Sequence, residues 1–252
     1  GSLFVRRTIP QGMHYDYEVE ASQLALFANY ENSLTDRLEL SIGARLERMD
    51  YEYDNLMIDG RTDANGVACG FGGCRYSRPA DRDDDFTEVS PKLGLSYELN
   101  ENHTLFARAQ RGIRAPQATE LYRLQGSQTV ADLDPVELDS YELALQGGGN
   151  NWNYSAAVYW MDKENEILQN SDRMNLNGSE TKHQGFELAV GYDLTDSLSV
   201  NGVFNFADHT YDNDLVSGGQ NINGNDIDTA PDQFGNLRLT YRPMSNLLAE
   251  LE

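Results

Sequence analysis

Arg37-Leu38-Glu39-Leu40-Ser41-Ile42-Gly43-Ala44-Arg45-Leu46-Glu47 alternates between apolar and polar side chains without a break. A period of two belongs to a β-strand, whose successive side chains point to opposite faces. Leu38, Leu40, Ile42, Ala44 and Leu46 therefore share one face. The other carries Arg37, Glu39, Arg45 and Glu47, and it must meet water, because burying such charges unpaired is prohibitively costly. The same alternation returns in Lys92–Leu99, Gly185–Tyr192 and Asn236–Tyr241.

A soluble β-sandwich alternates in the same way, so the connections have to decide. Short polar turns fall at Glu31–Asp36, Asn100–His103, Gly148–Asn151, Asp193–Ser197 and Pro243–Asn246. Between them lie long loops, roughly Asp54–Asp85, Ala115–Glu137, Ser171–Gly178 and Asn213–Thr229. Short and long connections take strict turns. In an up-and-down barrel this gathers the short turns at one rim and the long loops at the other, as in outer-membrane barrels; Greek-key connections do not segregate so regularly. Trp152, Tyr154, Ala156, Val158 and Trp160 share a face, and the two indoles bracket a stretch that, tilted, rises roughly 20 Å, near the ~25 Å apolar band between aromatic girdles. The fold expected is all-β, an antiparallel up-and-down transmembrane β-barrel, of which this chain supplies about ten strands from Tyr17 to beyond Asn246.

Composition agrees once the architecture is considered. The longest apolar runs are as short as Leu24–Ala28, whereas a membrane helix needs about 20 apolar residues. A mean hydropathy well below zero excludes a helical membrane protein but not a barrel, in which only every second residue faces lipid. With 41 acidic against 19 basic residues and a net charge of -22, a nucleic-acid partner is excluded, since phosphate binding needs clustered Lys and Arg. The acidity reads as solvated loops or as a cation-attracting mouth. Cys69 and Cys74 stand in a Gly-rich stretch with no nearby His, which argues against zinc. They form either a disulfide pinning a loop tip in an oxidising compartment or two free thiols. Gly1–Arg7 has no signal-peptide character, and the chain stops within an expected strand; both ends look cut.

Several stretches resemble TonB-dependent receptors. These are Ser90-Pro91-Lys92-Leu93-Gly94-Leu95-Ser96-Tyr97, then Thr104–Pro116 with Glu120-Leu121-Tyr122, then Leu138–Leu145, Thr181–Leu188, and Ala230-Pro231 with Asn236–Tyr241. Each motif is weak alone; their ordered series is specific and covers nearly the whole chain. The resemblance implies a barrel of about 22 strands closed around a plug, import of a ferric siderophore or similar metal chelate, and coupling to the TonB complex through that plug. Nothing in this chain resembles the plug, so a partial barrel domain over 1–252 in a Gram-negative outer membrane, in contact with its lipid, is expected.

No catalytic constellation is found, and neither an enzyme activity nor a cofactor is expected. Asp212-Asn213-Asp214 and Asp81-Arg82-Asp83-Asp84-Asp85 lack the Gly and terminal Glu of a calcium loop. Arg108, Gln110, Arg111 and Arg114 at one strand end, with Tyr122 nearby, are the first candidates for an anionic chelate, by ion pairing and ring stacking; the alternative for the arginines is pairing with lumenal carboxylates or the plug. Phe71, Arg75 and Tyr76 on the cysteine loop are the second. A passive porin, or less readily a soluble sandwich module, are the competing readings.

Overall fold

The alternating stretches pair side by side in chain order. The computed structural model describes residues 9–71, 73–170, 172–213, 216–217, 220–227 and 230–252. Its strands are β1 (Tyr17–Thr35), β2 (Leu38–Asn55), β3 (Tyr76–Ser77), β4 (Arg82–Asn100), β5 (His103–Arg114), β6 (Leu124–Gln125), β7 (Val136–Gly148), β8 (Trp152–Gln169), β9 (Asn175–Thr195), β10 (Leu198–Tyr211), β11 (Val216–Ser217), β12 (Gln220–Asn221), β13 (Gln233–Met244) and β14 (Leu247–Leu251), with one short helix, α1 (Ala118–Tyr122). Ten of them form one sheet in the order β1-β2-β4-β5-β7-β8-β9-β10-β13-β14. Every neighbouring pair in it is antiparallel. This is the up-and-down meander of a barrel wall.

The register aligns the apolar set across the whole wall. Leu40 pairs with Leu95, Leu95 with Ala107, Ala107 with Leu143, Leu143 with Val158, Val158 with Phe186 and Phe186 with Phe206. One residue away runs the opposite face, Glu39, Ser96, Phe106, Ala144, Ala157, Glu187 and Asn205. Leu26, Leu95, Leu143, Trp160, Val190, Phe206 and Leu237 on the apolar face are all exposed, and no second sheet is stacked on them among the described residues. A soluble sandwich would cover that face. Left bare over so many strands, it forms a continuous exposed apolar belt, of the kind that transmembrane barrels turn to lipid. Trp152 and Trp160 both lie on it.

The short connections shrink to 36–37, 101–102, 149–151, 196–197 and 245–246. Expected turn residues such as Glu31, Asn32 and Ser33 remain in the ladder, because a polar side chain at a wet rim costs a strand nothing. Side chains close the turns: Thr35 Oγ1 accepts from the amides of Arg37 and Leu38 at 3.3 and 3.0 Å, and Asn100 Oδ1 from that of Asn102 at 3.0 Å. The long connections, 56–81, 115–135, 170–174 and 212–232, leave from the other rim. Asp214 of the Asp212-Asn213-Asp214 run, Gly72 of the cysteine loop, Ser171 and the N-terminal Gly1–Arg7 lie outside the described residues.

Candidate functional site

Among the described residues, a buried hydrophobic cluster sits beneath the long loops. Tyr53, Leu121, Tyr122, Leu124, Ala131 and Leu133 are buried together, with Tyr17, Val19, Tyr51 and Phe86 packed against them. The strand residues of this set belong to the polar, lumenal face, so the loop 115–135 folds inward over the wall. Pro116-Gln117 starts α1, whose first turn is closed by Glu120: its carboxylate accepts from the Gln117 amide at 2.7 Å and pairs with Arg114 at 2.9 Å. The helix delivers Tyr122 onto Tyr53, with rings stacked at 4.3 Å and 18°. The Tyr122 hydroxyl donates to Asp84 Oδ2 at 2.8 Å, and Asp84 also pairs with Arg82.

Three further segments lock onto this loop. β3 pairs with β6, tying the cysteine loop to 115–135, and Arg75 donates to Gln125 Oε1 at 3.1 Å. From the N-terminal side, the Tyr15 hydroxyl donates to the Leu124 carbonyl, Arg123 lies over the Tyr15 ring at 5.4 Å, and His14 stacks on Tyr76 at 4.4 Å. Gln128 and Asn175 exchange amide hydrogen bonds of 2.6 and 2.8 Å, bringing in the connection before β9. Arg78 holds the cysteine loop from within. It is 2% exposed and its guanidinium donates to the carbonyls of Ile58 (2.7 Å), Thr62 (3.1 Å) and His14 (3.3 Å). Cys69 and Cys74 are joined by a disulfide.

The candidate residues thus separate. Arg108, Gln110 and Arg114 point to the lumen. Arg111 has the opposite parity and lies on the outward face, where its guanidinium grips Asp139 at 2.7 and 2.6 Å and Glu137 at 2.7 Å. Arg114 is held by Glu120, and Tyr122 is fully buried, so both support the loop. Arg108 is exposed and makes no ion pair among the described residues. It lies in a diagonal lumenal row with Lys92 and Arg45 on adjacent strands, and Arg45 is ion-paired to Glu47. Arg75 and Tyr76 belong to the interlocked loops, with the Arg75 guanidinium 5.6 Å from the Tyr76 ring centre, whereas Phe71 projects from the loop tip, 80% exposed. Sequence reasoning passed over Arg45, Lys92, Tyr53 and Arg78. Parity alone could have found the first two.

Burial raises the Tyr15 phenol well above its ordinary value, with Arg123 opposing; burial, then the bond to Asp84, raises Tyr122 further. A raised native value favours the protonated form, so this contribution to stability is complete below the unfolded value near ~10 and is lost as pH climbs through the native values. Titration of tyrosinate absorbance in the folded protein should show these two phenols lagging the exposed ones. Ionisation of all tyrosines near pH ~10 would contradict the packing.

The sequence pattern described as "TonB dependent receptor-like, beta-barrel" matches residues 6–249. The chain belongs to the TonB-dependent receptor β-barrel family. Receptors of this family are outer-membrane proteins of Gram-negative bacteria, in keeping with the exposed apolar belt. Among its relatives, a probable TonB-dependent siderophore receptor, PiuA, of Acinetobacter baumannii is 23% identical over 92% of this chain and 31% of its own length. A catecholate siderophore receptor, Fiu, of Escherichia coli O157:H7 is 24% identical over 73% of this chain and 25% of its own. The crystal structure of the ferric-catecholate import receptor Fiu from Escherichia coli K12 superposes with a TM-score of 0.69, at 20% identity, over 94% of this chain and 34% of that one. The chain therefore spans a third or less of the length of the curated relatives named here.

Proposed function

We propose that these residues form part of the wall and outer loops of a receptor that imports a ferric siderophore or a similar metal chelate, powered by the TonB complex through a plug carried elsewhere in the same protein. The observation that carries this reading is the loop assembly closing inward over a lumen that presents the exposed guanidinium of Arg108 and the amide of Gln110. A passive pore gains nothing from loops so heavily cross-tied. A receptor does, because such loops can hold and release a ligand above the lumenal row of Arg108 and Lys92, whose cations attract an anionic chelate. The names of the relatives make a catecholate chelate the first to try.

The test is growth. A strain lacking the gene should fail to use a ferric siderophore as sole iron source at limiting concentration, with uptake restored by the intact gene and reduced by Arg108→Glu. Undiminished uptake of every ferric chelate in the deletion strain would remove the proposal.

A further inference from the structure

His183 and His209 face each other across β9 and β10 as register partners on the lumenal face. Their Nδ1 atoms are 2.7 Å apart, and the far nitrogen of His183, Nε2, lies 3.0 Å from Thr181 Oγ1. Thr181 is 2% exposed, so its hydroxyl is fixed and orients the His183 ring. Next in the same row stands Met161 of β8, the register partner of His183, and by parity its thioether shares the lumenal face. Lys163, the register partner of Thr181 on β8, is ion-paired to Glu166.

Two imidazoles that share one Nδ1–H···Nδ1 contact can exchange that proton for a metal. The ring centres lie 4.9 Å apart with the two Nδ1 atoms between them, so the lone pairs face each other, and a turn of the rings is what admits an ion at the usual metal–nitrogen distance of about 2.0 Å. Neutral imidazoles bind Cu(II) more tightly than zinc in the affinity order of the divalent first-row metals. A thioether beside imidazoles is the donor set that also suits Cu(I). The Thr181 hydroxyl holds the non-coordinating nitrogen, the arrangement by which neighbouring groups fix a metal-bound imidazole. No group of three or more His, Cys, Asp and Glu side chains converges among the described residues, so the remaining positions fall to Met161 sulfur, to water or to the ion's own ligands. We infer that His183, His209 and Met161 form a copper-binding site on the lumenal wall, separate from the rim residues that would meet a chelate.

The experiment is a titration of the complete receptor, tag-free in detergent, with aqueous Cu2+ followed by electron paramagnetic resonance and competition dialysis. A tight axial Cu(II) signal with two-nitrogen coupling is expected. His209→Gln should weaken it about 10–100-fold while leaving the heat-modifiable folded band intact, and His183→Gln should do the same. Met161→Leu should weaken Cu+ binding about tenfold and leave Cu2+ binding nearly unchanged. A wild-type receptor that binds no copper, or a double His183→Gln/His209→Gln variant that folds and binds it equally well, overturns the site. Unchanged Cu+ affinity in Met161→Leu overturns the role of the sulfur.

Discussion

Replacing Tyr122 by alanine is expected to free the loop 115–135 from the wall while leaving the sheet assembled. The ring is fully buried, stacked on Tyr53 and edge-on to Tyr51 at 6.4 Å, and its hydroxyl is committed to Asp84. Truncating a buried aromatic costs about 3–5 kcal/mol, several times the ~1 kcal/mol net of any single hydrogen bond that also holds the loop. Because β6 and Gln128 transmit the anchorage to the cysteine loop and to Asn175, the whole assembly should loosen. The measurement is trypsin cleavage after Arg123 in receptor-bearing outer membranes, slow in wild type and fast in the variant. Tyr122→Phe keeps the stacking and should lose only the charge-assisted hydrogen bond, about 1.5–3 kcal/mol, giving an intermediate rate. Equal resistance of Tyr122→Ala and wild type would show that the ring is not the anchor.

Leu143→Arg is expected to be the most damaging single change to the wall. Leu143 sits midway along the apolar belt, 45% exposed, between Ala107 and Val158. An arginine there must enter the hydrocarbon, at about 2–4 kcal/mol at the bilayer midplane. The control is Gln146→Arg on the same strand, whose opposite parity sends the new charge into the wet lumen. The amount of folded, heat-modifiable receptor in the outer membrane should fall for Leu143→Arg and hold for Gln146→Arg. Equal yields would reverse the assignment of faces.

The wall is readable in the sequence because its rule is local. Leu38 to Leu46 alternate whatever lies around them, and the polar turns punctuate the strands at intervals visible by eye. The same parity separates Arg108 from Arg111, so the outward position of Arg111 is legible from its odd number alone. The interlocked loops are not. Tyr122 meets Tyr53 and Tyr15 meets Leu124 across long stretches of chain, and no periodicity encodes such meetings. The histidine pair is hidden for a subtler reason. A regular two-residue turn at Asp196-Ser197 would set His183 opposite Thr210, but an irregularity between Leu198 and Ser199 slips the register so that His183 meets His209. One bulged residue changes every partner along the two strands.

The strands are longer than a bilayer requires. β9 has 21 residues, which at ~3.3 Å each and a tilt near ~40° climbs roughly 50 Å, about twice the apolar band. The upper ends of the long strands, β1, β2, β4, β8 and β9, therefore rise beyond the apolar band as a collar. Its outer surface carries fixed ion pairs such as Arg48 with Asp50, Arg111 with Asp139 and Lys182 with Asp212. An antibody or phage that reached the flank of that collar would meet ordered sheet rather than loop. Binding to that collar could hold the receptor without touching the residues that choose its cargo.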